Sequence, residues 1–341
     1  GKNGIERRYD RTLRGRAGNS EVEVNALGRV IREINRREGE AGRRISLTID
    51  VDLQRFIEKR VSRQRRVSVV VMDTENGDVL GMMSRPGYDP NAFNKGMTVG
   101  EWKKLTSNPD RPLTNKAIAG QYAPGSVFKI IVALAALEGG ISPNMSVGCE
   151  GVLEFGNELF HCWRKDGHGH VDLVDAIRES CDVYFYELAQ RLGINSIARM
   201  AVRMGLGEVL NLELPGELPG LIPTKRWKRK ALGAAWLGGE SLINAIGQGY
   251  VLATPLQMAV MTARVVNGGY AIVPRLIKAF DDVDRPAHKA TDFPSLGIYH
   301  RSLSLVRQAM DEVARLEHLV QLNPGAVSYT HLRAHETRED R

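Results

Sequence analysis

A serine and a lysine stand three positions apart at the start of an apolar segment, in the sequence Pro124-Gly-Ser126-Val-Phe-Lys129. A serine hydroxyl is a weak nucleophile until a base lies within hydrogen-bond reach. Side chains three residues apart share one face of a helix, and burial among apolar neighbours favours the neutral form of a lysine, which can accept a proton. The pair predicts a serine acyl-transfer site, with Ser126 as nucleophile and Lys129 as base. A surface serine near a lysine that extends along apolar surface is the alternative interpretation.

A second polar motif, Ser180-Cys181-Asp182, follows later in the chain. A second hydroxyl can pass a proton between Lys129 and a leaving amine, and a short polar side chain can hold the lysine. We therefore assign Ser180 and Asp182 to the predicted catalytic group together with Ser126 and Lys129. A helix N-cap formed by the serine, with an acidic residue beside it, is the alternative.

The three cysteines and one histidine could hold a metal ion. Cys149, Cys162, His168 and Cys181 have the side chains that a closed structural zinc site uses. Their spacing is not that of a regular zinc finger. Free buried cysteines, or one disulfide with a spare thiol, remain open on the residues alone.

Hydrophobic patterns predict the elements that position these residues. Two apolar runs, Val67–Val71 and Val79–Met83, flank an Asn76-Gly77 turn and predict a β-hairpin. Ser126–Glu138 predicts a helix that is buried on all sides, and Thr254-Pro255 predicts the start of another helix. Strands and helices mixed around one buried helix favour an α+β catalytic domain.

Composition restricts the class of protein further. The 341 residues are 43% hydrophobic and 26% charged, which is typical of a globular chain of roughly two domains. The longest apolar run, Ile130–Leu137, is too short for a membrane span of about 20 residues. The net charge of +7 comes from an Arg-rich segment, residues 1–66, that has few aromatic residues for base stacking. A solvated charged face, or contact with an anionic membrane surface, therefore explains the charge better than a nucleic-acid partner.

The motifs together with longer segments resemble the penicillin-binding protein transpeptidases, and within them the penicillin-binding protein 2 branch of the rod-elongation machinery. The resemblance extends from residue 1 to about residue 326. Asp182, where most relatives carry Asn, favours this branch over the division-specific one. The matching segments are Gly4-Ile-Glu-Arg7, Val22-Glu-Val-Asn25, Gly28-Arg-Val-Ile31, Leu47-Thr-Ile-Asp50, Leu53-Gln54, Tyr88-Asp-Pro-Asn91, Pro124–Lys129, Gly167-His-Gly169, Ser180–Asp182, Gly247-Gln-Gly-Tyr250 and Ala253-Thr-Pro255.

The resemblance implies a fold and a domain organisation. The expected class is α+β: a penicillin-binding protein/β-lactamase-like transpeptidase domain, with a helical subdomain and an antiparallel sheet, after a small β-rich pedestal. We place the pedestal fragment at residues 1–44, the transpeptidase domain at 45–326 and a non-native tail at 327–341. The family's third motif, Lys-Thr/Ser-Gly, does not occur in the chain. We therefore expect an incomplete sheet and a fragment that is inactive as it stands.

The resemblance also implies the reaction. Ser126 would attack the penultimate D-alanyl carbonyl of a peptidoglycan pentapeptide stem and expel D-alanine. The amine of a neighbouring stem would then take the acyl group, while water would give D-Ala-D-Ala carboxypeptidase activity. β-Lactams would leave a stalled acyl-enzyme. A class D β-lactamase or β-lactam sensor is an alternative, which the pedestal argues against, and a non-catalytic scaffold stabilised by zinc is another.

The same resemblance implies a cofactor, partners and a location. One structural zinc ion would be held by Cys149, Cys162, His168 and Cys181, with the first two cysteines in place of two carboxylates. His161 and His170 are not expected to be ligands, because four ligands complete a tetrahedron. Implied partners are a membrane glycosyltransferase and scaffold proteins of the elongation machinery. The catalytic domain would be periplasmic, tethered to the inner membrane by a helix that precedes this sequence.

Overall fold

The computed structural model describes residues 3–322, and the side chains of all of these except Asn94 and residues 316–322. The predicted tail at residues 327–341 lies outside the described residues. The helices are α1 Gly4–Arg8, α2 Asp10–Arg14, α3 Val51–Arg60, α4 Asn91–Lys95, α5 Val99–Thr106, α6 Lys116–Ala119, α7 Lys129–Glu138, α8 Leu173–Arg178, α9 Asp182–Leu192, α10 Ile194–Arg203, α11 Lys225–Leu232, α12 Gly238–Ala245, α13 Pro255–Val266 and α14 His300–Leu322.

The strands form small antiparallel sheets rather than one large sheet. β3 pairs with β10, which pairs with β11, and the other pairs are β1 with β2, β4 with β5, β6 with β9 and β7 with β8. The strands are β1 Asn19–Val24, β2 Val30–Arg37, β3 Ile45–Leu47, β4 Val67–Met72, β5 Val79–Arg85, β6 Val147–Cys149, β7 Val152–Phe155, β8 Glu158–His161, β9 Gly169–Val171, β10 Ile277–Phe280 and β11 Val283–Asp284.

The β4–β5 hairpin confirms the prediction from the Asn-Gly turn. The two strands pair antiparallel, and the Asn76 side chain accepts a hydrogen bond from the Asp78 amide at 2.8 Å. Gly77 has φ +82°, and a Cβ there would stand 2.2 Å from the carbonyl oxygen of Val273. Glycine is therefore required both by the turn and by the close approach of a second segment.

Helix α7 forms the centre of the larger core, as its continuous apolar sequence predicts. Every residue from Lys129 to Ala136 is buried, and Ile131 and Leu134 are fully inaccessible. α7 packs against α9, α10 and α14. The predicted helix differs at its start, because Gly125–Phe128 forms a turn of 3-10 helix before α7 begins at Lys129.

The N-terminal segment is only partly β-rich. It begins with the two short helices α1 and α2, which the sequence prediction missed, and continues into the exposed β1–β2 hairpin. It joins the rest of the molecule where β3 pairs with β10 and where Arg43 Nε donates to Asp281 at 2.6 Å. Among the described residues, no helix is both long enough and apolar enough to span a bilayer.

Candidate active site and metal centre

Ser126 lies in the 3-10 turn that leads into α7, at the surface of the core. Its side chain is half-buried, whereas Lys129, three positions later, is only 2% exposed. Gly125, immediately before the serine, has φ +60°. The predicted nucleophile is thus reachable from solvent while its predicted base is enclosed. The Lys129 amide donates to the Ser126 carbonyl within this turn, but no hydrogen bond among the described residues joins the two side chains.

Lys129 is held by the second predicted motif. Its Nζ donates to the Ser180 carbonyl oxygen at 2.8 Å, to Ser180 Oγ at 3.0 Å and to Asp182 Oδ1 at 2.6 Å. Ser180 and Asp182 are themselves buried, and the ring of Phe185 lies 5.5 Å from the ammonium. All three N–H donors of the ammonium have acceptors. The structure therefore brings Lys129, Ser180 and Asp182 together, one helical turn after Ser126.

The backbone at Ser180 explains how one residue provides two of these acceptors. Ser180 follows the end of α8 with φ +53°, a conformation that costs free energy for any residue except glycine. The Cys181 amide donates back to the Ala176 carbonyl at 2.9 Å, and α9 begins at Asp182. This reversal between α8 and α9 directs both the carbonyl and the hydroxyl of Ser180 at Lys129.

Trp163, which was not predicted from the sequence, donates hydrogen bonds to the same Ser180–Asp182 motif. Its amide donates to Asp182 Oδ2 at 2.9 Å, and its indole Nε1 donates to the Ser180 carbonyl at 3.0 Å. Tyr186, on α9, donates its hydroxyl to the His161 carbonyl at 3.1 Å. The segment after β8 therefore fixes the orientation of the Asp182 carboxylate. A backbone donor leaves no signature in the sequence, which is why Trp163 was missed.

The four predicted metal ligands form one buried cluster. The Sγ atoms of Cys149, Cys162 and Cys181 and one ring nitrogen of His168 all lie within 4.8 Å of one another. The three cysteines are free thiols, so the disulfide alternative is not present. Gly167, with φ +73°, makes the sharp turn that returns His168 to Cys149. The flanking His161 and His170 are exposed and lie outside the cluster.

The chemistry of this cluster fits a zinc ion. Nδ1 of His168 lies 3.5 Å from the sulfur atoms of both Cys149 and Cys162. A hydrogen bond with Cys181 lowers the pKa of Cys162, although burial acts in the opposite direction, and the same bond raises the pKa of Cys181. Thiolates are the form that binds metals. Three sulfur atoms and one imidazole nitrogen are a donor set for closed, tetrahedral zinc.

Two parts of the chain match the models of two protein families. Residues 67–325 match the penicillin binding protein transpeptidase domain. Residues 1–47 match the penicillin-binding protein dimerisation domain.

Individual relatives agree with these matches. The peptidoglycan D,D-transpeptidase MrdA of Haemophilus influenzae is 41% identical over 284 residues, which are 82% of this chain and 44% of that protein. The chain thus spans less than half the length of this curated relative.

Solved structures show the same likeness. Penicillin-binding protein PBP2 of Helicobacter pylori, solved in a complex with MreC, superposes with a TM-score of 0.82 at 34% identity, covering 92% of this chain and 57% of that one. A chain from a peptidoglycan synthase complex, described as coordinating polymerization and crosslinking, gives a TM-score of 0.78 at 32% identity, covering 93% and 57%.

Proposed function

The chain belongs to the penicillin-binding protein transpeptidase family, in the branch of PBP2 and MrdA, and we propose on this basis that it is the catalytic part of a peptidoglycan D,D-transpeptidase. The family and the α+β transpeptidase fold expected from the sequence are confirmed. The observation that carries the proposed activity is the contact of Lys129 with Ser180 and Asp182, one turn after Ser126. These matches give no support to the β-lactamase, β-lactam-sensor or non-catalytic scaffold alternatives.

The proposed reaction follows from the roles of these side chains. Ser126 Oγ attacks the penultimate D-alanyl carbonyl of a stem peptide, and its proton passes to Lys129, which must first release one of the three ammonium protons described above. The C–N bond to the terminal D-alanine breaks, and the proton returns through Ser180 to the leaving amine. The amine of a second stem then attacks the ester, which forms the cross-link and restores the Ser126 hydroxyl. Water in place of that amine gives carboxypeptidase activity.

The experiment that tests this proposal is acylation at a defined serine. The full-length natural protein that contains this chain is incubated with a fluorescent penicillin, and the adduct is located by peptide mass spectrometry. We expect the label on Ser126 and its loss in Ser126→Ala. Ser142→Ala, an exposed serine whose hydroxyl accepts only the Asn144 amide in the described part of the chain, is the matched control and keeps the label. A label on another serine would contradict the assignment.

We further propose that Cys149, Cys162, His168 and Cys181 hold one structural zinc ion. Two of these residues adjoin the catalytic group: Cys162 precedes Trp163, whose amide binds Asp182, and Cys181 lies between Ser180 and Asp182. A bound zinc would supply fixed cross-links between the segment after β8 and the start of α9. Its role is to keep the Asp182 carboxylate and the Ser180 carbonyl in place for Lys129.

Metal analysis tests the zinc proposal independently of activity. We expect about one zinc per chain, and a chelator should lower the melting temperature, because structural zinc binding contributes about 10–16 kcal/mol to folding in small domains. His168→Ala should abolish metal binding, whereas His170→Ala, at an exposed neighbour, should leave it intact. Protein without metal, or a disulfide between two of these cysteines, would overturn the proposal.

Partners and location are also proposals. The H. pylori relative was solved with MreC, and another relative belongs to a peptidoglycan synthase complex. We propose that this protein likewise meets a scaffold protein and a glycosyltransferase through its N-terminal segment. Since stem peptides are cross-linked outside the inner membrane, the described part of the chain would act on the periplasmic side.

A further inference from the structure

The loop that follows α12 lies directly against the turn that carries Ser126. The Gly125 amide donates to the Gly247 carbonyl at 3.0 Å. Three residues earlier, Tyr122 and Ala253 exchange two backbone hydrogen bonds of 2.9 Å each. The segment from 247 to 253 therefore holds both ends of the four residues that precede the nucleophile.

The contact at Gly247 is close enough to fix the peptide group next to the nucleophile. Gly247 has φ +72°, and a Cβ there would stand 2.1 Å from the carbonyl oxygen of Gly125. That carbonyl belongs to the peptide group whose N–H is the amide of Ser126. In serine acyl-transfer sites the amide of the nucleophile is a common donor to the developing oxyanion. A displacement of Gly247 would therefore move Ser126 and its amide together.

Asn244 is the side chain that closes this loop. It is 1% exposed, its Nδ2 donates to the Glu240 carbonyl at 2.6 Å, and its Oδ1 accepts the Tyr250 amide at 3.2 Å. Its own carbonyl accepts the Gly247 amide at 3.0 Å. One buried side chain thus ties the last turn of α12 to the far end of the loop, with Gly247 between the two attachments.

Glu240 anchors the helix from which Asn244 extends. Its carboxylate accepts the Tyr250 hydroxyl at 3.2 Å and pairs with Lys228, which is 5% exposed on α11. The rings of Trp227 and Tyr250 lie 5.2 Å apart on the same side. Because both ends of the loop are attached to this packed group, the loop has a fixed position, and Gly247 is held in contact with Gly125.

We propose that Asn244 is a positioning residue for acylation: it holds Gly247 against the Gly125–Ser126 peptide and so aligns the nucleophile, without touching a reacting atom. The inference rests on the proposed function, since it concerns the same serine. A misplacement of a reacting group by about 1 Å can reduce the rate about 100-fold. The predicted defect is therefore in the rate of ester formation and not in the preceding binding of the ligand.

The experiment separates those two steps in the full-length natural protein with a fluorescent penicillin. For Asn244→Ala we expect the limiting acylation rate at saturating penicillin to fall about 10- to 100-fold. The dissociation constant of the non-covalent complex should change less than about threefold, which is under 0.7 kcal/mol. Asn244→Asp retains the acceptor for Tyr250 but loses the donor to Glu240, and should recover part of the rate.

Asn267→Ala is the matched control. Asn267 closes the turn after α13 in the same way, because its Oδ1 accepts the amides of Gly269 and Tyr270 at 3.1 and 3.0 Å. Its partners lie outside the Ser126 turn, so this variant should lose stability without losing acylation rate. All variants are compared at a temperature at which each is folded, and if Asn244→Ala does not fold, Asn244→Asp gives the same comparison.

Two results would overturn the inference, and they are distinguishable. In the first, the wild-type protein is acylated at Ser126, but the Asn244 variants have the same limiting acylation rate as Asn267→Ala, or differ from it only in the dissociation constant of the non-covalent complex. The positioning role is then wrong, and the proposed function stands. If the wild-type protein forms no adduct at Ser126, the proposed function fails and the inference fails with it.

Discussion

Lys129 and Asp182 are a charged pair inside the core, with side chains only 3% and 8% exposed. Removing two charges from water costs several kcal/mol each, and mutual attraction compensates only when further hydrogen bonds satisfy both groups. Here Ser180 provides these contacts for the ammonium and the Trp163 amide provides one for the carboxylate. The pair is therefore stable as a unit in the resting structure, and a substitution that removes one partner leaves the other buried without a counter-ion.

Asp182→Ala should accordingly destabilise the protein by about 3–5 kcal/mol, because it leaves the Lys129 ammonium buried without a counter-ion. Urea unfolding measures the change. Asp311→Ala is the control, since the Asp311–Arg315 pair on α14 is exposed and its loss should have no measurable effect. Adding Lys129→Met to Asp182→Ala should restore much of the lost stability. Equal losses in the single and double variants would show that the unpaired charge is not the cause.

Residue type and spacing predicted part of this site and missed another part for a physical reason. Lys129, Ser180 and Asp182 could be grouped because a buried lysine needs a hydroxyl or a carboxylate that binds its amino group. The structure brings the three residues together. Trp163 and Asn244 could not be found, because each acts through a backbone group that tertiary packing alone brings into place. The roles assigned to the predicted residues stay predictions until acylation is measured.

Elements with strong local signals formed as predicted, and those set by tertiary contacts did not. The β4–β5 hairpin lies close to its predicted bounds and the helix from Pro255 begins where predicted, since a turn or a cap specifies each of them locally. The 3-10 turn before α7 depends on a hydrogen bond from Gly125 to Gly247, far away in sequence. Helices α1 and α2 span five residues each and contain no buried residue, so no apolar period marks them.

The β4–β5 turn gives a prediction at this scale. Gly77 and Gly140 share φ +82°, but a Cβ on Gly77 would stand 2.2 Å from the Val273 carbonyl, while nothing lies within 4 Å at Gly140. Gly140→Ala should cost about 1–2 kcal/mol for the left-handed backbone alone. Gly77→Ala should cost clearly more, because the clash adds to the same backbone penalty. Thermal unfolding of both variants checks this. Equal losses of stability would mean that the backbone at Val273 can move away from the new Cβ without measurable cost.

The described molecule consists of parts that are packed to very different degrees. The core around α7 excludes solvent almost completely, whereas no residue of β1 or β2 is buried. A two-stranded hairpin without a buried face is marginally stable in water and opens often. Its exposed apolar side chains are Val22, Val24, Leu27, Val30, Ile31 and Ile34. The hairpin therefore contributes little to the stability of this chain.

Limited trypsin digestion of the 341-residue chain should reveal this difference. Within the described residues we expect the first cuts within or beside the hairpin, at Arg29, Arg32 or Arg36, and a nicked chain that keeps the melting temperature of the uncut chain when it is measured before the two pieces are separated. Helix α11 is an internal control: it is equally rich in exposed cations, but its inner face is anchored by buried Lys228, paired with Glu240. Local opening limits cleavage of native protein, so α11 should be cut later. First cleavage within α11, or a product that melts at a clearly lower temperature, would show that the hairpin is an integral part of the folded unit.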